Sequence, residues 1–235
     1  MKEEEVVELF SRIFGTQYSV YNKSLKEKEE KLFFLVRDDQ EKYLCIYGDF
    51  NKFKKLDFHI KAEKKLENSQ NNLFQICPLK SSNMAGLQRI FPYLKPLVIG
   101  KKSSFGTGDR LGSATPAHVK AFKGKDVLPV LAQQLEREME RTESNWQKVM
   151  ENAIWGCFEE GYERPFGADA DHVKDLENLQ KAIDCGYTLF TINPSDFIVK
   201  NISQHSTQEI FQRYIIHYYK NIFSYNPLFP RRGLG

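Results

Sequence analysis

The residues best suited to chemistry lie in residues 166–174, which read FGADADHVK. Two carboxylates and an imidazole follow an apolar predicted strand, the end at which α/β folds bind their ligands. Strand alternation places Asp169 and Asp171 on one face, and His172 lies where the strand gives way to a loop, so it can turn toward the same end. This pattern suits a carboxylate base beside a metal-binding imidazole. The alternative is a carboxylate that caps a helix, next to a hydrogen-bonded histidine.

A glycine-rich segment, residues 104–112 (SFGTGDRLG), follows the apolar residues 97–100, which are predicted to form a strand. Glycines at such a place let a ligand approach the backbone closely. Leu111 occupies the third glycine position of the dinucleotide-binding fingerprint, so the segment predicts no nicotinamide cofactor. The alternative is a tight turn in which Asp109 pairs with Arg110 or caps a helix.

Two further predicted strands end in polar segments. Residues 131–138 (LAQQLERE) offer amides, among them Gln133, and a guanidinium that can hold hydroxyl or carboxylate groups; the alternative is an exposed loop. Residues 191–196 (TINPSD) form a turn whose composition requires no ligand. Four consecutive strands thus end in polar segments, which is the layout of the catalytic face of a barrel enzyme.

The elements that must position these segments alternate between strand and helix patterns. The predicted strands are residues 128–132, 164–168 and 187–192, and their side chains are apolar, or nearly all apolar, on both faces. Apolar residues at helical spacing lie between them, from Trp146 to Phe158 and from Leu176 to Ile183. The fold class is therefore α/β, with a TIM-barrel-like (β/α) domain. That domain is expected to be partial, because residues 97–235 are little more than half of the about 250 residues that a complete barrel needs.

Residues 1–96 are predicted to form a small α+β N-terminal domain. An amphipathic helix runs from Val6 to Phe14, and a second helix covers residues 85–94. The predicted strands are residues 31–37, 42–47 and 72–76. The first βα units of the barrel then occupy residues 97–200, and residues 201–235 are expected to be an irregular or helical C-terminal tail of an incomplete chain.

Composition excludes several classes of function. Thirty-four basic and 31 acidic residues leave a net charge of +3, which argues against a nucleic-acid partner. The N-terminus is acidic and no apolar run reaches the length of a membrane span, so we expect a cytoplasmic protein without membrane contact. The four cysteines are widely spaced and have no neighbouring histidines, so they predict reduced thiols and no zinc site.

These segments resemble the tagaturonate epimerase family, bacterial sugar-acid epimerases with a TIM-barrel-like fold. The similarity extends over residues 106–118, 132–142, 153–161, 166–174 and 186–196. The resemblance implies interconversion of D-tagaturonate and D-fructuronate in hexuronate catabolism, with a divalent metal cation near the barrel mouth and a sugar acid as substrate. It identifies Asp171 as the proton acceptor and His172 as a metal ligand. The expected substrate-binding residues are Asp109, Arg110, Gln133, Asp169 and Lys174.

Family members are about twice as long and take further metal-binding histidines and a proton donor from their later half. We therefore expect this chain to act with a complementary half or as a homo-oligomer, since an open half-barrel leaves unpaired strand edges. The alternative hypothesis is a truncated, non-catalytic remnant that binds a sugar acid or metal.

Overall fold

The computed structural model describes residues 3–15, 17–49, 51, 57–66, 71–195 and 204–211. Contacts divide the chain into one compact unit that ends at Asn193 and a second that begins at Pro194. The first unit contains two sheets, one antiparallel and one parallel. The mixed α/β class predicted from the sequence is therefore confirmed, whereas the partial TIM-barrel assignment and the separate N-terminal domain stay predictions.

The antiparallel sheet has five strands in the order β1-β2-β3-β5-β4. They are β1 (Ser19–Lys28), β2 (Lys31–Arg37), β3 (Lys42–Asp49), β4 (Ala62–Lys65) and β5 (Asn72–Pro78). Helix α1 (Glu3–Phe14) covers one face, where Phe10 stacks on Phe14 and meets the edges of Phe34 and Phe74. On the opposite face Phe33 contacts Phe91, just after helix α2 (Ser81–Ile90). Both faces are covered, which explains the unbroken apolar run of β2.

The parallel sheet has four strands in the order β6-β7-β8-β9. They are β6 (Ser104–Gly106), β7 (Leu128–Leu135), β8 (Gly167–Val173) and β9 (Leu189–Ile192). The helices between them are α3 (Thr115–Ala121), α4 (Glu136–Arg141), α5 (Trp146–Glu159) and α6 (Leu176–Asp184). Strands β6, β7 and β8 are thus each followed by a helical connection to the next parallel strand, as the sequence pattern predicts.

Helix α5 belongs to the core of both sheets. It buries residues all round its circumference, including Ile154 and Phe158. One hydrophobic cluster joins these residues to Ile46 of the antiparallel sheet and to Leu131 and Ala168 of the parallel sheet. The two sheets therefore share a core across the predicted boundary at residue 97, and the division into domains at that residue stays a prediction.

Several elements begin elsewhere than predicted. Residues 97–100 form no regular strand. Leu97 N–H donates to Phe166 O at 2.9 Å, but Val98 is 73% exposed, and the strand begins only at Ser104. Strands β7 and β8 continue through polar residues as far as Leu135 and Val173. The predicted strand boundaries were wrong here because the polar side chains within these strands are satisfied by one another.

Three N-terminal predictions also need correction. Strands β1 and β4 were missed, because their sequences (SVYNKSLKEK and AEKK) are mostly polar and exposed. The second helix begins at Ser81, before the predicted residue 85, and ends at Ile90. Pro92 then opens a single 3₁₀ turn, Pro92–Leu94, because proline lacks the N–H that would continue the helix.

The second unit is described at residues 194–195 and 204–211. Its helical turn α7 (Thr207–Ile210) is closed by reciprocal hydrogen bonds between Ser206 and Glu209. Most of the predicted tail lies outside the described residues. No helix within the described part of the chain is long and apolar enough to cross a membrane.

Ion pairs join the C-terminal end of α5 to its neighbours. Glu160 contacts Lys23 of β1 at 2.7 Å and Lys120 of α3 at 3.0 Å. Burial raises the pKa of Glu160, but its hydrogen bonds to the two lysines and their charges outweigh burial, so the pKa lies below its ordinary 4.5. Glu160 therefore stabilises the fold in its ionised form.

We expect Glu160→Gln to lower the free energy of unfolding at pH 7 by up to about 1 kcal/mol, because two ion pairs are lost. A depressed folded-state pKa gives stability that is present above pH 4.5 and lost as the pH falls through the folded-state value. The difference from the parent chain should therefore shrink below pH 4.5 in urea unfolding. Glu163→Gln is the matched control, since Glu163 pairs with Lys26 alone and is 56% exposed. Equal losses in both variants at pH 7 would contradict the assignment.

Candidate active site

A buried carboxylate lies between the central strands of the parallel sheet. Asp169 is 2% exposed and pairs in register with Gln133 of β7. Gln133 Nε2 donates to Asp169 Oδ2 at 3.0 Å, and Thr191 Oγ1 of β9 donates to both carboxylate oxygens at 3.0 and 3.1 Å. Burial raises the pKa of Asp169, the hydrogen bond from Thr191 opposes it, and the nearby charge of Asp171 adds to the rise. Three neighbouring strands are thus tied together by one carboxylate.

Beside this network lies a cavity of about 620 Å³. Its wall includes Asp109, Arg110, Gln133, Glu138 and Asp171. These residues come from three of the segments predicted to carry chemistry, which meet because the carboxyl ends of parallel strands share one edge of the sheet. The structure therefore brings together four of the expected site residues, Asp109, Arg110, Gln133 and Asp171.

The remaining expected residues lie apart from that cavity. Asp169 lies against Gln133 and Thr191 instead of lining the wall. His172 and Lys174 line a second cavity of about 260 Å³, together with Glu136 and Arg137. Their roles in substrate or metal binding stay predictions.

Asp171 and His172 form a close pair at the end of β8. His172 Nδ1 lies 2.6 Å from Asp171 Oδ1. The backbone of His172 has a φ of 60°, and the pairing of β8 with β9 is irregular between Ala170 and Val173. A left-handed backbone is unfavourable for a residue with a side chain and is concentrated at functional sites. The irregularity turns His172 out of the strand alternation, and its contact with Asp171 through Nδ1 leaves Nε2 as the nitrogen available to a ligand.

The donor set for a metal is incomplete. In residues 3–195 and 204–211, apart from the gaps given above, no three His, Cys, Asp or Glu side chains converge closely enough to hold an ion. Asp171 and His172 alone fall short of the donor sets that divalent cations require. The described residues therefore do not fit a complete metal site, and no step below depends on one.

Asp109 organises its own loop. One carboxylate oxygen accepts from the backbone N–H groups of Leu111 at 3.2 Å and Gly112 at 2.8 Å, and the other accepts from Ala114 at 2.6 Å. Asp109 thus stabilises a tight turn, as in the alternative for this segment, but it does so through backbone N–H groups, and Arg110 contacts Glu138 instead of Asp109. A substrate contact by Asp109 stays a prediction.

Two site residues were not singled out from the sequence. Glu138 is buried. Its carboxylate oxygens lie 3.6 Å from side-chain nitrogens of Arg110 and Arg141 and 3.8 Å from one of Arg137. The spacing of Glu138 and Arg141 on a helix was a readable signal, whereas the approach of Arg110 depends on the fold. Thr191 lies in a segment whose composition is explained by a turn without any ligand. Its contact with Asp169 forms only because β8 and β9 pair.

Comparison with known proteins bears on this site. A family model described as tagaturonate epimerase matches residues 21–224. The tagaturonate/fructuronate epimerase of Thermotoga maritima is 43% identical over 204 residues, which are 87% of this chain and 41% of that protein. The native crystal structure of fructuronate-tagaturonate epimerase UxaE from Cohnella laeviribosi is 29% identical with a TM-score of 0.72, and the match covers 94% of this chain and 44% of that one.

A glycerol complex of the same Cohnella laeviribosi enzyme also has a TM-score of 0.72 at 29% identity, covering 96% of this chain and 42% of that one. The fold of the described chain is thus similar to that of solved fructuronate-tagaturonate epimerases. The chain belongs to the tagaturonate epimerase family, as the resemblance indicated. It spans about four tenths of the length of the relatives it matches.

The Gln133 network depends on a glycine opposite it. A Cβ at Gly106 would overlap Gln133 Oε1, whereas a Cβ at Gly108 would meet only the Gln133 backbone oxygen, at an ordinary 3.7 Å. We expect Gly106→Ala to displace the Gln133 amide and leave Asp169 short of one donor, at a cost of about 1–3 kcal/mol in unfolding free energy.

The measurement is the position of the Gln133 side-chain amide signals in an NMR spectrum, together with urea unfolding. Gly108→Ala is the matched control and should change neither. Unaltered Gln133 signals in Gly106→Ala would show that the amide does not depend on this glycine.

Proposed function

We propose that this chain provides the first βα units and part of the active site of a tagaturonate/fructuronate epimerase. The observation that carries the proposal is the meeting of Asp171, Gln133 and Arg110 in one cavity at the strand ends of a chain that belongs to this family. Polar donors surrounding a carboxylate base suit a polyhydroxy acid. A cytoplasmic location stays a prediction.

The chemistry assigned to Asp171 is removal of a hydroxyl proton. In a ketouronate the inverted carbon lies β to the ketone, so enolisation alone does not change its configuration. Asp171 takes the proton from the hydroxyl on that carbon, the bond to the α carbon breaks, and its electron pair forms an enediolate while the hydroxyl carbon becomes an aldehyde. Rotation of the aldehyde, re-addition of the enediolate and return of the proton give the epimer.

Other residues bind and position. Gln133 and Arg110 offer N–H donors to the hydroxyl and carboxylate groups of the substrate. Asp169 acts through Gln133, because its hydrogen bond fixes the amide orientation in the cavity wall. A divalent cation would polarise the ketone. His172 is the candidate ligand from this chain, and the other ligands would come from the part of the family fold that lies beyond the matched residues.

The sheet edges support completion by further chain. Among the described residues, β6 pairs with β7 alone and β9 with β8 alone. Phe105 on β6 is 66% exposed and Ile192 on β9 is 59% exposed. Open strand edges that carry apolar side chains favour pairing with more strands. We therefore propose that the remaining strands of the family fold dock here.

The proposal is tested by incubating the 235-residue chain with tagaturonate, alone and mixed with the part of the Thermotoga maritima epimerase beyond the aligned residues, with and without divalent cations. We expect fructuronate, separated by chromatography, to form in the mixture but not with either polypeptide alone. A folded mixture without turnover would favour the alternative, a non-catalytic sugar-acid or metal binder.

In the form of the enzyme that turns over, Asp171→Asn should lower kcat by at least about 100-fold, because an amide cannot accept the hydroxyl proton. Asp126→Asn is the matched control, since Asp126 is an exposed carboxylate just before β7, at the opposite end of that strand. Near-normal turnover by Asp171→Asn would remove Asp171 from the mechanism.

A further inference from the structure

A third cavity, of about 360 Å³, lies against the antiparallel sheet. Its lining comes from α1, from strands β1, β2, β3 and β5, and from the turn between β1 and β2, and none of it belongs to the parallel sheet. The volume falls within the roughly 300–1,000 Å³ that is usual for small-molecule sites. We call it the hairpin cavity, because residues of the β1–β2 hairpin contribute to its lining.

A buried lysine lines the hairpin cavity. Lys31 is only 4% exposed, and its ammonium donates to Glu29 O at 3.3 Å, which is long for a hydrogen bond. Among the described residues, no carboxylate oxygen lies within 4.0 Å of Lys31 Nζ. Two of its three donors are therefore open to another partner. Because a buried ammonium is costly without a counter-charge, the cavity suits a ligand that brings a negative group to Lys31.

A glycine makes room for this lysine. Lys31 is the first residue of β2, and a Cβ on Gly48 of β3 would lie 3.0 Å from Lys31 Cγ and 3.2 Å from Glu30 O. Glycine at this position therefore lets the lysine stem pack closely against β3. The other buried lining residues, Val6, Leu32 and Tyr47, are apolar or aromatic. Together they form a floor against which methylene groups of a ligand can pack.

The exposed side of the hairpin cavity is acidic. Glu3 and Glu27 are exposed, and within the described ranges their carboxylates make no hydrogen bond or ion pair. Glu30 and Asp49 add two further carboxylates to the lining. Four carboxylates repel a simple anion, whereas the buried ammonium of Lys31 repels a simple cation from the floor. The lining therefore favours a ligand that has a carboxylate at one end and an excess of positive charge.

We propose that the hairpin cavity binds a free basic amino acid, lysine or arginine. The ligand carboxylate contacts the Lys31 ammonium, its methylene groups pack against Val6 and Leu32, and its positive groups face Glu3 and Glu27. The proposal goes beyond the proposed function and does not depend on it, since the hairpin cavity shares no lining residue with the two cavities at the strand ends.

The test compares L-arginine with agmatine, which is arginine without its carboxylate, by isothermal titration calorimetry of the 235-residue chain at low salt. We expect arginine to bind at least about tenfold more tightly, because hydrogen bonds between charged groups contribute that much. Lys31→Met, which keeps the length of the side chain and removes its charge, should bring the ratio of the two affinities close to unity. Lys28→Met is the matched control and should retain the ratio, because Lys28 is exposed and lies opposite Lys31 in the β1–β2 pair.

Glu27→Gln is a second variant, at an exposed position of β1. It should weaken arginine and agmatine alike and leave their ratio unchanged, since it removes only a contact with the positive groups. Absence of arginine binding to the parent chain, or equal affinity for the two ligands, would overturn the proposal; the latter is expected if Lys31 only holds the β1–β2 turn. A ratio that survives in Lys31→Met would overturn the carboxylate contact, and unchanged binding in Glu27→Gln would overturn the acidic one.

Discussion

The burial of α5 between the two sheets is the constraint on which the rest of the structure depends. Residues 153–158 of α5 are all buried, and six consecutive residues occupy every side of a helix, so this part of α5 requires a packing surface on each side. The antiparallel sheet supplies one and the parallel sheet the other, through a single hydrophobic cluster. The N-terminal sheet therefore helps to hold the parallel strands in place, since without it one side of α5 would lie open.

The same helix positions the glycine-rich loop. Gly112, with a φ of 69°, lies so close to Asn152 of α5 that a side chain there would overlap it. Four residues along the helix, Gly156 leaves room for Thr115 at the start of α3. The C-terminal end of the loop that carries Arg110 is thus fixed by two close contacts with α5. In one the glycine, Gly112, belongs to the loop, and in the other the glycine, Gly156, belongs to α5. The rest of the loop is held by hydrogen bonds that backbone N–H groups donate to the Asp109 carboxylate.

The sequence predicted the type of fold better than the limits of its strands. Alternation of apolar runs and amphipathic helices was enough to indicate parallel βα units, because burial imposes those periods directly. Gln133 and Asp169 were placed after the strands because isolated polar residues argue against a buried strand. In the structure each satisfies the other across the β7 and β8 pair, a long-range relation that no local pattern contains. The left-handed backbone of His172 is likewise set by the irregular pairing with β9.

Four carboxylates near the strand ends differ in how their charge is balanced, and that difference separates their functions. Asp109 is held by backbone N–H groups, Asp169 by an amide and a hydroxyl, and Glu138 by three guanidinium groups. Asp171 contacts only His172, through one oxygen, and among the described residues its other oxygen accepts no hydrogen bond. A carboxylate whose oxygens are already occupied gains little by taking a proton, whereas one with a free oxygen facing a cavity can accept it from a bound hydroxyl. Among these four acidic side chains, the contact pattern therefore supports the proposal that Asp171 is the base.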